Sequence, residues 1–80
     1  MTYVYLLRSV ADSERRYIGR TTDLRRRLAQ HNAGDTPSIT RHRPWRVVVA
    51  VAFADDDRAA AFERYLKAGS GAAFANRHLW

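Results

Sequence analysis

Two tyrosines, an arginine, a histidine and one glutamate carry most of the chemistry this sequence can offer. Tyr5 and Tyr17 fall in two short runs rich in aromatic and branched residues, YVYLLR (Tyr3 to Arg8) and RRYIGR (Arg15 to Arg20), separated by the polar stretch VADSE. That is the pattern of a hairpin. Strand propensity alone accounts for tyrosines in such runs, and a phenol with a pKa of about 10 does no acid–base work at neutral pH without a basic or metallic neighbour. Gly19 weakens a strand two residues after Tyr17, so its presence implies a bulge or the close approach of another backbone or a substrate.

Arg27 and His31 are four residues apart in LRRRLAQHN, which puts them one turn apart on one helix face, where both could point at one anion. A plain surface account competes: Arg25, Arg26 and Arg27 form a solvated basic patch, and a histidine in a last turn suits the helix dipole. A guanidinium fork donates two parallel hydrogen bonds to phosphoryl oxygens, so this helix suits phosphodiesters better than acyl groups. Glu63 has Lys67 four residues on, which predicts an exposed ion pair. It also follows Phe62 and neighbours Leu66 across one turn, at the edge of an apolar face. A single carboxylate there could hold one Mg²⁺ together with phosphate oxygens and water. Other constellations are poor. Ser70 sits in GSG with no assignable histidine partner, and the stretch from Lys67 to Gly71 lacks the spacing of a phosphate loop. His31, His42 and His78 do not have zinc-site spacing.

The elements that must position these groups can be read from pattern. After the hairpin, Thr21, Thr22 and Asp23 supply a cap for a helix over 24–32 in which Leu24 and Leu28 repeat, and Asn32-Ala33-Gly34 supplies its stop. A polar loop from Asp35 to Pro44, containing Pro37, precedes WRVVVAVAF, an apolar run so continuous that both faces of the strand are expected to be covered. Asp55, Asp56 and Asp57 cap a helix over 58–67 whose Ala59, Phe62 and Leu66 share a face, with Gly69 as its end. Ser70-Gly71 is then expected to cap a short helix over 72–77, with Leu79 and Trp80 folded back on the core. The order β-β-α-β-α-α predicts an α+β fold: a small three-stranded antiparallel sheet flanked by helices, as a single domain over residues 1–80.

Composition bounds the rest. Eighty residues with 46% hydrophobic side chains make one small core, of the kind that buries roughly 60% of its unfolded surface. The absence of cysteine removes disulfides, thiolate nucleophiles and zinc ribbons. Fourteen Lys and Arg against eight Asp and Glu give a net charge of +6, which favours a polyanionic partner, nucleic acid before acidic lipid. The segment from Met1 to Ser9 has no leader pattern and nothing approaches the ~18 apolar residues of a membrane span, so a cytoplasmic protein with no membrane partner is expected.

Taken in order, Tyr3-Val4-Tyr5, Tyr17-Ile18-Gly19, Arg27 with His31, and Glu63 resemble the GIY-YIG nuclease superfamily over nearly the whole chain. More narrowly, YVYLLRS, YIGRTTDLRRRLAQHNAG, TRHRPWRVV and AAAFERYLKAGSGAAFANRHL are similar to the small stand-alone bacterial members, which share this domain with an excision-repair incision subunit and structure-selective resolvases. The resemblance implies the GIY-YIG fold and hydrolysis of a phosphodiester in DNA with one divalent metal, Mg²⁺ or Mn²⁺. It implies that Tyr5 activates or orients the attacking water, and that Tyr17 binds phosphate and supports that water. Arg27 would stabilise the charge developing at phosphorus, His31 would assist by hydrogen bonding or proton relay, and Glu63 would ligate the metal. Among the candidate substrate contacts are Gly19 and, loosely aligned to a late asparagine of the family, Asn76; Arg41, Arg43 and Arg46 could add phosphate contacts. The first motif departs from the family by reading Tyr3-Val4-Tyr5, without the opening glycine. Small members lack the extra DNA-binding domains of larger relatives, so the resemblance implies single-stranded or branched DNA rather than a defined duplex sequence, in repair, recombination or DNA processing, with a protein partner able to supply targeting. The alternative is a non-catalytic basic nucleic-acid-binding module on the same fold, and a purely structural or protein-interaction domain is a third reading.

Overall fold

The structure, a computed structural model, describes residues 1–34 and 41–80. Strands β1 (Thr2–Ser9), β2 (Arg16–Thr21) and β3 (Trp45–Phe53) form an antiparallel sheet in the order β2-β1-β3. Helix α1 (Leu24–Ala33) joins β2 to β3, and α2 (Asp56–Leu66) and α3 (Gly69–His78) follow. The expected α+β class and element order are therefore observed. The loop expected from Asp35 to Pro44 lies outside the described residues over 35–40, Pro37 included.

The sheet's two faces carry two cores, as the alternation of side chains along a strand requires. Val4 and Leu6 of β1 pack with Ala59 and Leu66 of α2 and Ala75 of α3, with Leu79 and Trp80 folded onto this cluster. On the opposite face Tyr5 and Leu7 pack with Trp45, Tyr17, Val47 and the α1 residues Leu24 and Leu28. Thus α1 covers one face, and α2 with α3 covers the other.

The strand buried on both faces is β1, not β3 as its apolar run suggested. β3 is an edge strand whose residues are mostly half-buried or exposed. The reason is an irregularity in its pairing. Leu6 faces Val49 while Leu7 faces Val47, so Val48 is an extra residue and the alternation changes phase there. Trp45 and Val47 therefore serve the Tyr5 face, whereas Val51 and Phe53 lie opposite Val4 and Thr2 on the other. What reads as one continuous apolar run is two alternating runs joined by a bulge.

Local chemistry fixes the helix ends. The Asp23 carboxylate accepts from the Arg26 amide at 3.1 Å, and Gly34 closes α1 at φ 86°. The Asn32 side chain donates to the Trp45 carbonyl at 3.1 Å and accepts its amide at 2.6 Å, tying the end of α1 to the start of β3. Asp55 caps α2 through the amides of Asp57 and Arg58. Glycines 69 and 71 have roles other than those expected. Gly69 opens α3 at φ 59° rather than ending α2, and α3 begins there without a side-chain cap. Gly71 is buried because a Cβ at this position would overlap the Tyr65 carbonyl oxygen, so the residue permits α2 and α3 to touch backbone to backbone.

Candidate active site

The hairpin register sets Tyr5 directly opposite Gly19 and two pairs away from Tyr17, which faces Leu7. A Cβ on Gly19 would lie 2.5 Å from the Tyr5 hydroxyl oxygen and 2.8 Å from a Tyr17 ring carbon. Gly19 is thus required for close approach, but what approaches is the pair of tyrosine rings, not another backbone. The ring centroids of Tyr5 and Tyr17 are 6.2 Å apart, and Tyr17 meets His31 edge-on at 5.2 Å.

Helix α1 brings His31 and Arg27 to the same place from outside the sheet. The Tyr5 hydroxyl lies 3.0 Å from His31 Nε2 in a buried hydrogen bond. Tyr5 is 1% and His31 0% exposed, so burial raises the Tyr5 pKa; hydrogen bonding from Arg27 opposes this, while the charges of Tyr17 and Glu63 add to it. Burial, then the Arg27 charge, lowers the pKa of His31. A protonated phenol facing a neutral imidazole is the ground state that these shifts favour, and the imidazole tautomer sets which of the two donates. His31 Nδ1 is buried without a hydrogen-bond partner among the described residues. The expectation that Arg27 and His31 point at one anion fails for His31, which lies sealed behind Tyr5.

Arg27 remains half-buried, held by a 3.1 Å hydrogen bond from Nη1 to Gln30 Oε1, and its pKa is raised first by its contact with Tyr5. Its guanidinium lines a cleft of about 440 Å³ with Arg20, Thr21, Arg26 and Gln30. Tyr17 opens on a second cleft, of about 390 Å³, shared with Arg16, Lys67, Asn76 and Trp80. Glu63 reaches the same sheet edge from α2. The pair with Lys67 forms, at 2.8 Å, but the carboxylate is only 19% exposed and has a second cation, Arg20, at 3.7 Å. Arg20 escaped the sequence reading; its signal was strand alternation, which turns positions 16, 18 and 20 towards α2 when Tyr17 and Gly19 face α1.

Among the described residues no group of three His, Cys, Asp or Glu is placed to hold a metal ion. Glu63 is a lone hard-oxygen donor beside the phenols, near enough for its charge to act on Tyr5. That donor set fits an ion that fills its shell mostly with phosphate oxygens and water, as Mg²⁺ does. The other candidates are placed more widely. Asn76 lies in the Tyr17 cleft and accepts a 3.0 Å hydrogen bond from Arg16. Arg41 and Arg43 are exposed ahead of β3, on the sheet edge opposite β2, and are not brought into the tyrosine cluster. Arg46 is exposed on β3, opposite Arg8.

The model of the GIY-YIG catalytic domain matches residues 1–76. The chain belongs to the GIY-YIG family, a nuclease superfamily. The GIY-YIG chain is 44% identical over 66 residues to a UPF0213 protein of Streptococcus pneumoniae, covering 81% of this chain and 65% of the relative. It is 47% identical over 53 residues to the structure-specific endonuclease subunit SLX1 of Cryptococcus neoformans, covering 59% of this chain and 11% of that protein. The solution NMR structure of a UPF0213 protein from Bacillus halodurans matches with a TM-score of 0.55 and 35% identity over 95% of this chain and 81% of that one. No helix among the described residues is long and apolar enough to cross a membrane.

Proposed function

We propose that this GIY-YIG domain is a metal-dependent endonuclease that hydrolyses phosphodiesters in single-stranded or branched DNA. The observation that carries the reading is the convergence of Tyr5, Tyr17, Arg27 and His31 from β1, β2 and α1 on the sheet edge that Glu63 reaches from α2. The printed name of the fungal relative, a structure-specific endonuclease subunit, supports branched DNA and a protein partner. The setting that this reading proposes is DNA repair, recombination or DNA processing in the cytoplasm.

Tyr17, half-buried on the cleft wall, would hydrogen-bond a non-bridging phosphate oxygen. Arg27, rigidly held, would meet the charge that develops on the phosphoryl oxygens, where a fixed guanidinium is worth more than a mobile one. Tyr5 would accept a hydrogen bond from the attacking water while donating its own proton to His31. As the water oxygen bonds to phosphorus, one water proton passes to the Tyr5 oxygen and the Tyr5 proton to His31 Nε2; the bond to the leaving oxygen breaks, that oxygen takes a proton from solvent, and His31 then returns its proton to Tyr5, which releases one to solvent. His31 is thereby a positioning and relay group. Glu63 would hold the metal in exchange for its contact with Lys67. When bound, Mg²⁺ or Mn²⁺ would neutralise phosphate charge and lower the pKa of water.

A metal titration tests this. Cleavage of a labelled oligonucleotide should require Mg²⁺ or Mn²⁺, stop with EDTA, and be lost in Glu63→Gln while DNA binding stays within about twofold, since the change removes a ligand charge at little steric cost. Cleavage by Glu63→Gln at the wild-type rate would overturn the metal assignment.

A further inference from the structure

Glu63 meets a different cation at each of its oxygens. Lys67 Nζ, one helical turn on, donates to Oε2 at 2.8 Å, and Arg20 Nε lies 3.7 Å from Oε1. The carboxylate is thus compensated twice over in the free protein. The two cations are not equivalent. Arg20 extends from β2 and lines the cleft that holds Arg27. Lys67 is half-exposed at the end of α2, and its ammonium rides on a flexible four-carbon stem. It also lines the cleft of about 390 Å³ on which Tyr17 opens, so one ammonium has both Glu63 and the proposed phosphate site within reach. An exposed lysine–carboxylate pair contributes little and exchanges readily, and a phosphate oxygen accepts a charge-assisted hydrogen bond equally well.

We infer that Lys67 is a two-position counter-ion, which neutralises Glu63 in the DNA-free protein and transfers to a DNA phosphate when a strand enters the Tyr17 cleft, uncovering Oε2. In the first position Lys67 opposes metal binding, because its ammonium competes with a divalent ion for the same oxygen. In the second position that opposition is gone. DNA and metal therefore raise each other's affinity, by the same factor in both directions. Lys67 is a positioning residue that acts through Glu63 and ties metal loading to the arrival of substrate. A plain surface pair at this spacing couples to neither ligand. The inference rests on the reading of Glu63 as the metal ligand of a DNA-cleaving domain.

Its test has two arms. The first is Mn²⁺ binding to the DNA-free protein, followed by electron paramagnetic resonance of the free ion. Lys67→Met keeps an unbranched apolar stem, deletes the charge and should tighten Mn²⁺ binding about three- to tenfold. Lys67→Arg, and Arg58→Gln at an exposed pair at the start of α2, should each stay within about twofold of wild type. The second arm follows a labelled single-stranded oligonucleotide by fluorescence anisotropy, with Mn²⁺ and with EDTA at matched ionic strength, in a Tyr5→Phe background that slows cleavage. The affinity gained from Mn²⁺ should be about threefold smaller when Lys67→Met is added. Unchanged Mn²⁺ affinity in Lys67→Met, equal tightening in Arg58→Gln, or equal gains in the second arm would overturn the counter-ion role and leave the nuclease reading intact. Glu63→Gln should lose Mn²⁺ binding; binding retained at wild-type affinity would overturn the metal assignment itself.

Discussion

Tyr5 and His31 share one buried hydrogen bond between a phenol that burial keeps protonated and an imidazole that burial keeps neutral. Tyr5→Phe keeps the ring against Gly19 and deletes only the hydroxyl. It should lower cleavage about 100-fold or more while costing about 1 kcal/mol of stability; an unchanged rate would move the proton to another acceptor. Because folding lowers the His31 pKa, the unfolded chain binds more protons between the ordinary value of about 6.5 and the lowered one. The stability from His31 is fully present above that range and falls as pH drops through it. Urea midpoints of wild type should therefore fall faster than those of His31→Gln below pH ~6.5, by at most about 1.4 kcal/mol per pH unit. Parallel pH profiles would contradict the assignment. Arg27→Ala should depress turnover more than binding if, as proposed, its charge meets the transition state; equal losses would reduce it to a phosphate contact.

The strands and helices of the site were legible where one physical cause controls the pattern. The cap at Asp23, the stop at Gly34 and the four-residue step from Arg27 to His31 all act within one helix, and they stand as expected. Where two elements meet, the sequence misleads. The bulge at Val48 splices two alternating runs into one that looks doubly buried, and nothing within β3 itself marks the change of phase. Gly71 likewise looks like punctuation but is a contact between helices. Gly71→Ala should push α2 from α3, costing about 1–3 kcal/mol and lowering Tm by roughly 4–8 °C for each kcal/mol. A thermal melt matching wild type would show that the two backbones do not need to meet there. The burial of His31 was also hidden, because helical spacing gives a face but not its depth.

Over the whole molecule, charge and fold act together: a small α+β body with a net charge of +6 sets its candidate catalytic cluster at an open sheet edge. The charge was plain in the composition, and the order of the motifs pointed to the family. The account as a whole stands on strand cleavage, and the most direct measurement follows labelled single-stranded, duplex, flap and four-way-junction DNA with Mg²⁺ and with EDTA, using Glu63→Gln as the blank. Metal-dependent products from the single-stranded or branched substrates, absent from the blank, are the predicted result. Salt-sensitive binding to these DNAs with no cleavage of any of them would contradict it and leave a non-catalytic nucleic-acid-binding module.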